Sequence, residues 1–116
     1  MGVDLISGHG DFSLHWGAWR SCFELAITFG WQPAGTVAPC NYLGPGHWNR
    51  SYFTNDRQVV SDDDARALAM ALRRACTALR TNQSVTREQA EALADLDMEM
   101  VCNLAGYAKK GHFAIL

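Results

Sequence analysis

The stretch SDDDARALAMALRRACTAL, residues 61–79, decides the fold class. Ser61 stands where a helix needs its N-cap, Asp64 follows three residues later as an acidic variant of the capping box, and Val60 and Ala65 are spaced as a hydrophobic staple. Behind that start, Leu68, Ala69, Leu72, Ala75, Cys76 and Leu79 form one apolar stripe at helical spacing, which predicts a helix over 62–79. Asp62, Asp63 and Asp64 fall in its first turn, where negative charge meets the positive end of the helix dipole. That local role accounts for the acidic run more simply than a cation site. The same device recurs at Thr86 with Gln89, launching a helix over about 87–108 that places Leu93, Leu96, Met100, Leu104 and Tyr107 on one face.

Upstream, Trp16, Trp19, Phe23, Ala26 and Ile27 recur at helical spacing, and the run stops at Gly30, a natural left-handed cap, with Pro33 beyond it. A helix over about 16–29 follows, with His15 capping or preceding it. Residues 2–7 read as a strand closed by the Gly8-His9-Gly10 turn, with 12–15 as a brief extended entry to the helix. Ser51 to Val60 reads as a hairpin in which Tyr52-Phe53 and Val59-Val60 flank an Asn55-Asp56 turn, and His112 to Leu116 suits a last strand at the sheet edge. The expected architecture is a single α+β domain over 1–116, a small antiparallel or mixed sheet packed against three helices. A chain of 116 residues buries roughly two-thirds of its unfolded surface in one core.

The aromatic residues divide this domain functionally. All four tryptophans, Trp16, Trp19, Trp31 and Trp48, lie in a charge-poor first half, whereas the second half is Ala-rich, charged and periodic, as a supporting scaffold is. A net charge of -2, with Arg73-Arg74 and Lys109-Lys110 as the only basic pairs, argues against nucleic acid as a partner. No stretch approaches the roughly 20 apolar residues of a membrane span, and Met1-Gly2-Val3-Asp4 opens no signal peptide, so no membrane and a cytoplasmic location are expected. Cys22, Cys40, Cys76 and Cys102 are evenly spread with no paired spacing and read as buried free thiols. His9, His15, His47 and His112 match no zinc spacing, and Gly8-His9-Gly10 does not extend to a dinucleotide fingerprint because Ser13 occupies the third glycine position. No metal, cofactor or catalytic residue is assigned.

A binding surface is the better lead. The irregular segment 31–51 contains Pro33, Pro39 and the Gly44-Pro45-Gly46 turn beside large aromatic rings, and a long loop inside a compact domain is commonly functional. Trp16, Trp19, Trp31, Tyr42 and Trp48 are placed to line one concave surface, with His15, Asn41 and His47 as polar contacts, and of these Trp16, Trp31, Asn41, Tyr42, His47 and Trp48 are the binding candidates. The competing reading makes the same rings the core of a small domain. The stretches Phe12 to Trp16, Gly30 to Thr36 and Tyr52 to Ala65 resemble those of a family of small bacterial accessory proteins, immunity-like or carried on mobile cassettes. The resemblance covers about half the chain and implies no catalytic residue. The expected function is a noncatalytic binding module for a protein partner or a small apolar ligand, with a homodimer contact among the options. The alternative is a small enzyme with a His/carboxylate site in the 31–56 region, drawing on His47 or His15 with Asp4 or Asp56.

Overall fold

A computed structural model of the chain describes residues 2–39, 48–81, 85–94 and 96–116. Its sheet begins with a hairpin: β1 (Gly2–Ser7) pairs antiparallel with β2 (Gly10–His15), setting Val3 opposite Leu14 and Leu5 opposite Phe12. Gly10 takes φ 133°, which side-chain-bearing residues rarely adopt, so the turn requires glycine there. The extended entry expected at 12–15 is thus the second arm of a hairpin. Its far face is polar, and the Ser13 hydroxyl donates to Asp4 across the pair at 2.6 Å.

The helix α1 (Trp16–Thr28) starts where the His15 Nδ1 accepts the Gly17 N–H at 3.1 Å. It ends in a Schellman arrangement: Gly30 N–H reaches Ile27 O at 3.1 Å and Trp31 N–H reaches Ala26 O at 2.9 Å, with Gly30 at φ 101°. The helix α2 (Asp62–Arg80) opens as expected, Ser61 accepting the Asp64 N–H at 3.3 Å. Leu68 and Leu72 of its stripe are buried, each contributing roughly 2 kcal/mol, while Leu79 is exposed.

The expected single helix over 87–108 is two. Thr86 and Gln89 form a reciprocal capping box, at 3.0 and 3.1 Å, that opens α3 (Arg87–Ala94). Leu96 N–H then turns back to Leu93 O, and Asp97 caps α4 (Met98–Ala108) by accepting the Glu99 N–H at 3.0 Å. A side-chain acceptor at Asp97 competes with the backbone and starts a new helix there. No residue of α3 is fully buried, so packing does not hold it in line with α4.

Two further expectations change. Residues 51–58 form no hairpin, because the buried Gln58 side chain occupies the inside of the turn: its Nε2 donates to Ser51 O and Thr54 O at 3.1 and 2.7 Å, and its Oε1 accepts the Asp56 N–H. Only β3 (Val59–Val60) continues into the sheet. The last strand, β4 (Phe113–Ile115), lies inside the sheet and not at its edge; the order is β2-β1-β4-β3, all neighbours antiparallel. Both flanks of this terminal segment are hydrogen-bonded, Leu116 N–H to Asp4 O on one side and Ile115 N–H to Gln58 O on the other. Phe113 and Ile115 are fully buried, which fixes the strand's face.

The chain is therefore α+β, with a four-stranded sheet and four helices among the described residues. The core joins Val3, Leu5, Phe113 and Ile115 of the sheet to Trp19 and Leu25 of α1, Leu68 and Leu72 of α2 and Leu104 of α4. We expect Ser61→Ala to lower stability by about 1 kcal/mol through loss of the α2 cap. An unchanged urea midpoint would show that the hydroxyl contributes nothing.

Candidate functional site

Asp64 is the third residue of α2, a position where carboxylates are ordinarily solvated, yet it is only 3% exposed. Its Oδ1 accepts the Trp31 indole N–H and the Ala34 backbone N–H, each at 3.1 Å, and its Oδ2 accepts the Tyr52 hydroxyl at 2.5 Å. The Tyr52 oxygen in turn accepts the Gly35 N–H at 2.8 Å. This carboxylate does not reach back to close a capping box; it ties α2 to the 31–36 segment and to Tyr52. Gly35 has φ 95°, and a Cβ there would stand 2.6 Å from Arg50 Nε, so glycine is required where the two segments cross. Burial, followed by the bond to Asp64, pushes the Tyr52 hydroxyl well above its ordinary pKa. It is a fixed donor, not a base.

Around this latch the rings pack edge to face or tilted. Phe23 of α1 lies 5.0 Å from Trp31, 5.1 Å from Tyr52 and 4.8 Å from Phe53, and the fully buried Trp19 donates its indole N–H to Tyr52 O at 2.8 Å. Phe53 is half-buried, and the Arg20 guanidinium sits 4.5 Å above it. Trp16, Gly17, Arg20 and Phe53 line an open cavity of about 350 Å³.

The six binding candidates fall in different environments. Trp16 is half-buried on the cavity wall, and Trp31 is a core residue, 3% exposed, with its indole N–H committed to Asp64. Trp48 is half-buried and donates to the Thr36 hydroxyl at 3.0 Å. Asn41, Tyr42 and His47 lie outside the described residues. Arg20 and Phe53 complete the cavity and were not among the candidates. The spacing of Trp16 and Arg20, one turn apart on α1, is the signal that pairs them.

The free-thiol reading holds for one described cysteine. Cys22 is buried and free, its thiol pushed up to about 12 by burial, whereas Cys76 and Cys102 form a disulfide. Periodicity along α2 and α4 cannot reveal that two cysteines 26 residues apart face each other. His15 serves as a helix cap, and the His–carboxylate pair that does form is elsewhere: His112 presents its backbone N–H and Nδ1 to Asp62 Oδ1 at 2.7 and 2.9 Å, out on the surface. Among the described residues, no three His, Cys, Asp or Glu side chains gather as a metal site, and no helix is long and apolar enough to cross a membrane. No protein-family model, curated protein or solved structure matches the chain.

Removing the Asp64 carboxylate leaves three donors, those of Trp31, Tyr52 and Ala34, without this acceptor. Asp64→Ala is expected to cost on the order of 3 kcal/mol or more, and Asp64→Asn to recover part of that. Urea unfolding followed by tryptophan fluorescence measures both, and a loss confined to a few tenths of a kcal/mol would show that the latch is not structural. Because the folded pKa of Cys22 is raised, its stabilising effect is complete below the ordinary 9.0 and disappears as pH climbs to about 12. Stability should fall across that alkaline window, and less steeply in Cys22→Ala; identical slopes would refute the assignment.

Proposed function

We propose that the protein is a noncatalytic binding module that engages a protein partner through the aromatic first half of the chain, with Trp16, Arg20 and Phe53 as its contact. One observation carries the reading. The indole N–H groups of Trp19, Trp31 and Trp48 are all bonded within the fold, whereas among the described residues that of Trp16 has no partner, and its ring borders an open cavity. Trp and Arg are the residue types that most often dominate interface energies. Here both stand on the first turns of a helix, and the Arg20 guanidinium is already stacked on the Phe53 ring, which lowers the ordering cost of binding.

The openness of the cavity favours a protruding side chain of a partner over a small apolar ligand, which binds where most of its surface is enclosed. A second copy of this chain is one admissible partner. The sequence resemblance adds the setting, a bacterial accessory protein of immunity-like or mobile-cassette type working in the cytoplasm. The enzymatic alternative in the 31–56 region draws on His47, outside the described residues, and no observation on the described ones favours it.

Replacing Trp16 and Arg20 together by Ala removes the contact and leaves Trp19, Trp31 and Tyr52 in place. The expected outcome is that proteins retained on the immobilised wild type are lost on the variant, or that a wild-type dimer seen in sedimentation becomes monomeric, with the melting curve little changed. Equal retention and equal association state for both proteins would overturn the proposal, as would unfolding of the variant, which would make Trp16 a core residue.

A further inference from the structure

The Cys76–Cys102 disulfide joins α2 to α4 with the two Cα atoms 6.4 Å apart, inside the range that ordinary disulfides span. Both residues line an open cavity of about 280 Å³ that is separate from the Trp16 site. Arg73 and Arg80 lie one turn before and one turn after Cys76 on the same face of α2, and Lys109 lines the cavity from the end of α4. Among the described residues, no carboxylate lines it and none of these three cations is engaged by one. Gly106, one turn after Cys102, adds a second observation. Glycine inside a helix costs about 1 kcal/mol relative to alanine. A Cβ at this position would meet nothing within 4 Å, so the space beside Cys102 is open. Of the two cysteines, Cys102 is the more exposed.

We propose that this groove is a thiol–disulfide exchange site for small anionic thiols, compounds that carry a sulfonate, carboxylate or phosphate beside the sulfur. The three cations hold the anionic group, and the thiolate of the bound molecule attacks Cys102 Sγ. A sulfur–sulfur bond forms between the small thiol and Cys102 as the Cys76–Cys102 bond breaks, and the electron pair leaves on Cys76 as a thiolate, which Arg73 and Arg80 stabilise until solvent protonates it. A second thiolate then attacks the small molecule's sulfur in the mixed disulfide, displacing Cys102 as a thiolate. In sum, two small thiols are oxidised to one disulfide and the protein disulfide is reduced to two thiols, and the reverse sequence restores it. Cys22 takes no part, since its Sγ is buried against Met100 Sδ at 3.8 Å.

The test uses the oxidised full-length protein and three probes, mercaptoethanesulfonate, mercaptoethanol and cysteamine, with rates expressed per thiolate and the modified cysteine located by peptide mass. Reduction is expected to be at least about tenfold faster with the sulfonate than with the cationic amine at low ionic strength, to converge at high salt, and to leave the mixed disulfide on Cys102. Converting Arg73, Arg80 and Lys109 to Gln should erase the difference between the sulfonate and the amine, and should slow mercaptoethanol less than the sulfonate, because every probe loses the cations beside the leaving Cys76 thiolate but only the sulfonate also loses its binding contact. Equal per-thiolate rates for the three probes on the wild type would overturn the proposal without any variant. So would free Cys76 and Cys102 thiols in air-oxidised protein, or an attack mapped to Cys76.

Discussion

The buried carboxylate of Asp64 is the constraint on which the arrangement of this fold depends. Removing an ionised carboxylate from water costs several kcal/mol, and it is tolerated only where donors replace the lost solvent. Three donors do so here, from Trp31, Ala34 and Tyr52, and the N-terminal end of α2 adds its dipole. Each donor belongs to a segment with no regular secondary structure of its own. The irregular stretch after α1 therefore has a defined course because a charge on a different helix requires its N–H groups. Once Trp31 and Tyr52 are fixed, Phe23 packs against both, Phe53 packs against Phe23, and Arg20 covers Phe53. The exposed cavity is the outer end of a chain of contacts that begins at one buried acid.

Features set by local chemistry were legible in the sequence. The helix read over 62–79 is α2 at Asp62–Arg80, and that read over 16–29 is α1 at Trp16–Thr28, because caps and glycine stops act on the residues beside them. The break between α3 and α4 was hidden because Leu93, Leu96, Met100 and Leu104 keep a helical spacing straight through it. Apolar periodicity does not register a polar side chain, such as Asp97, that starts a helix afresh. The interior place of β4 and the turn built around Gln58 depend on partners more than fifty residues away or on a buried amide, and neither leaves a local mark.

The same distinction explains the candidate site. Asp62, Asp63 and Asp64 are equivalent as a sequence, yet one binds His112, and another turns inward as the hub of the aromatic cluster. The four tryptophans are likewise equivalent in composition. What separates them is the fate of the indole N–H: Trp19 and Trp31 spend theirs on buried acceptors and become core, and Trp48 spends its own on Thr36. The core reading therefore holds for Trp19 and Trp31, whereas Trp16 and Trp48 are half-buried.

The helix α2 connects the two ends of the molecule's chemistry. Asp64 anchors its first turn and Cys76 lies twelve residues on, roughly 18 Å along the axis. A disulfide closing 26 residues restricts the unfolded chain by about 3–4 kcal/mol, a sizeable share of the stability of a domain this size. Opening it removes that restraint but not the apolar seam, since Leu68, Leu72 and Ala75 of α2 and Val101, Leu104 and Ala108 of α4 stay buried without any covalent help. The latch at the other end contains no sulfur and is indifferent to redox state. The cost of reducing the groove therefore falls on the unfolded chain, and the Asp64 contacts, with the geometry around Trp16 and Phe53, rest on interactions that the thiol chemistry does not touch.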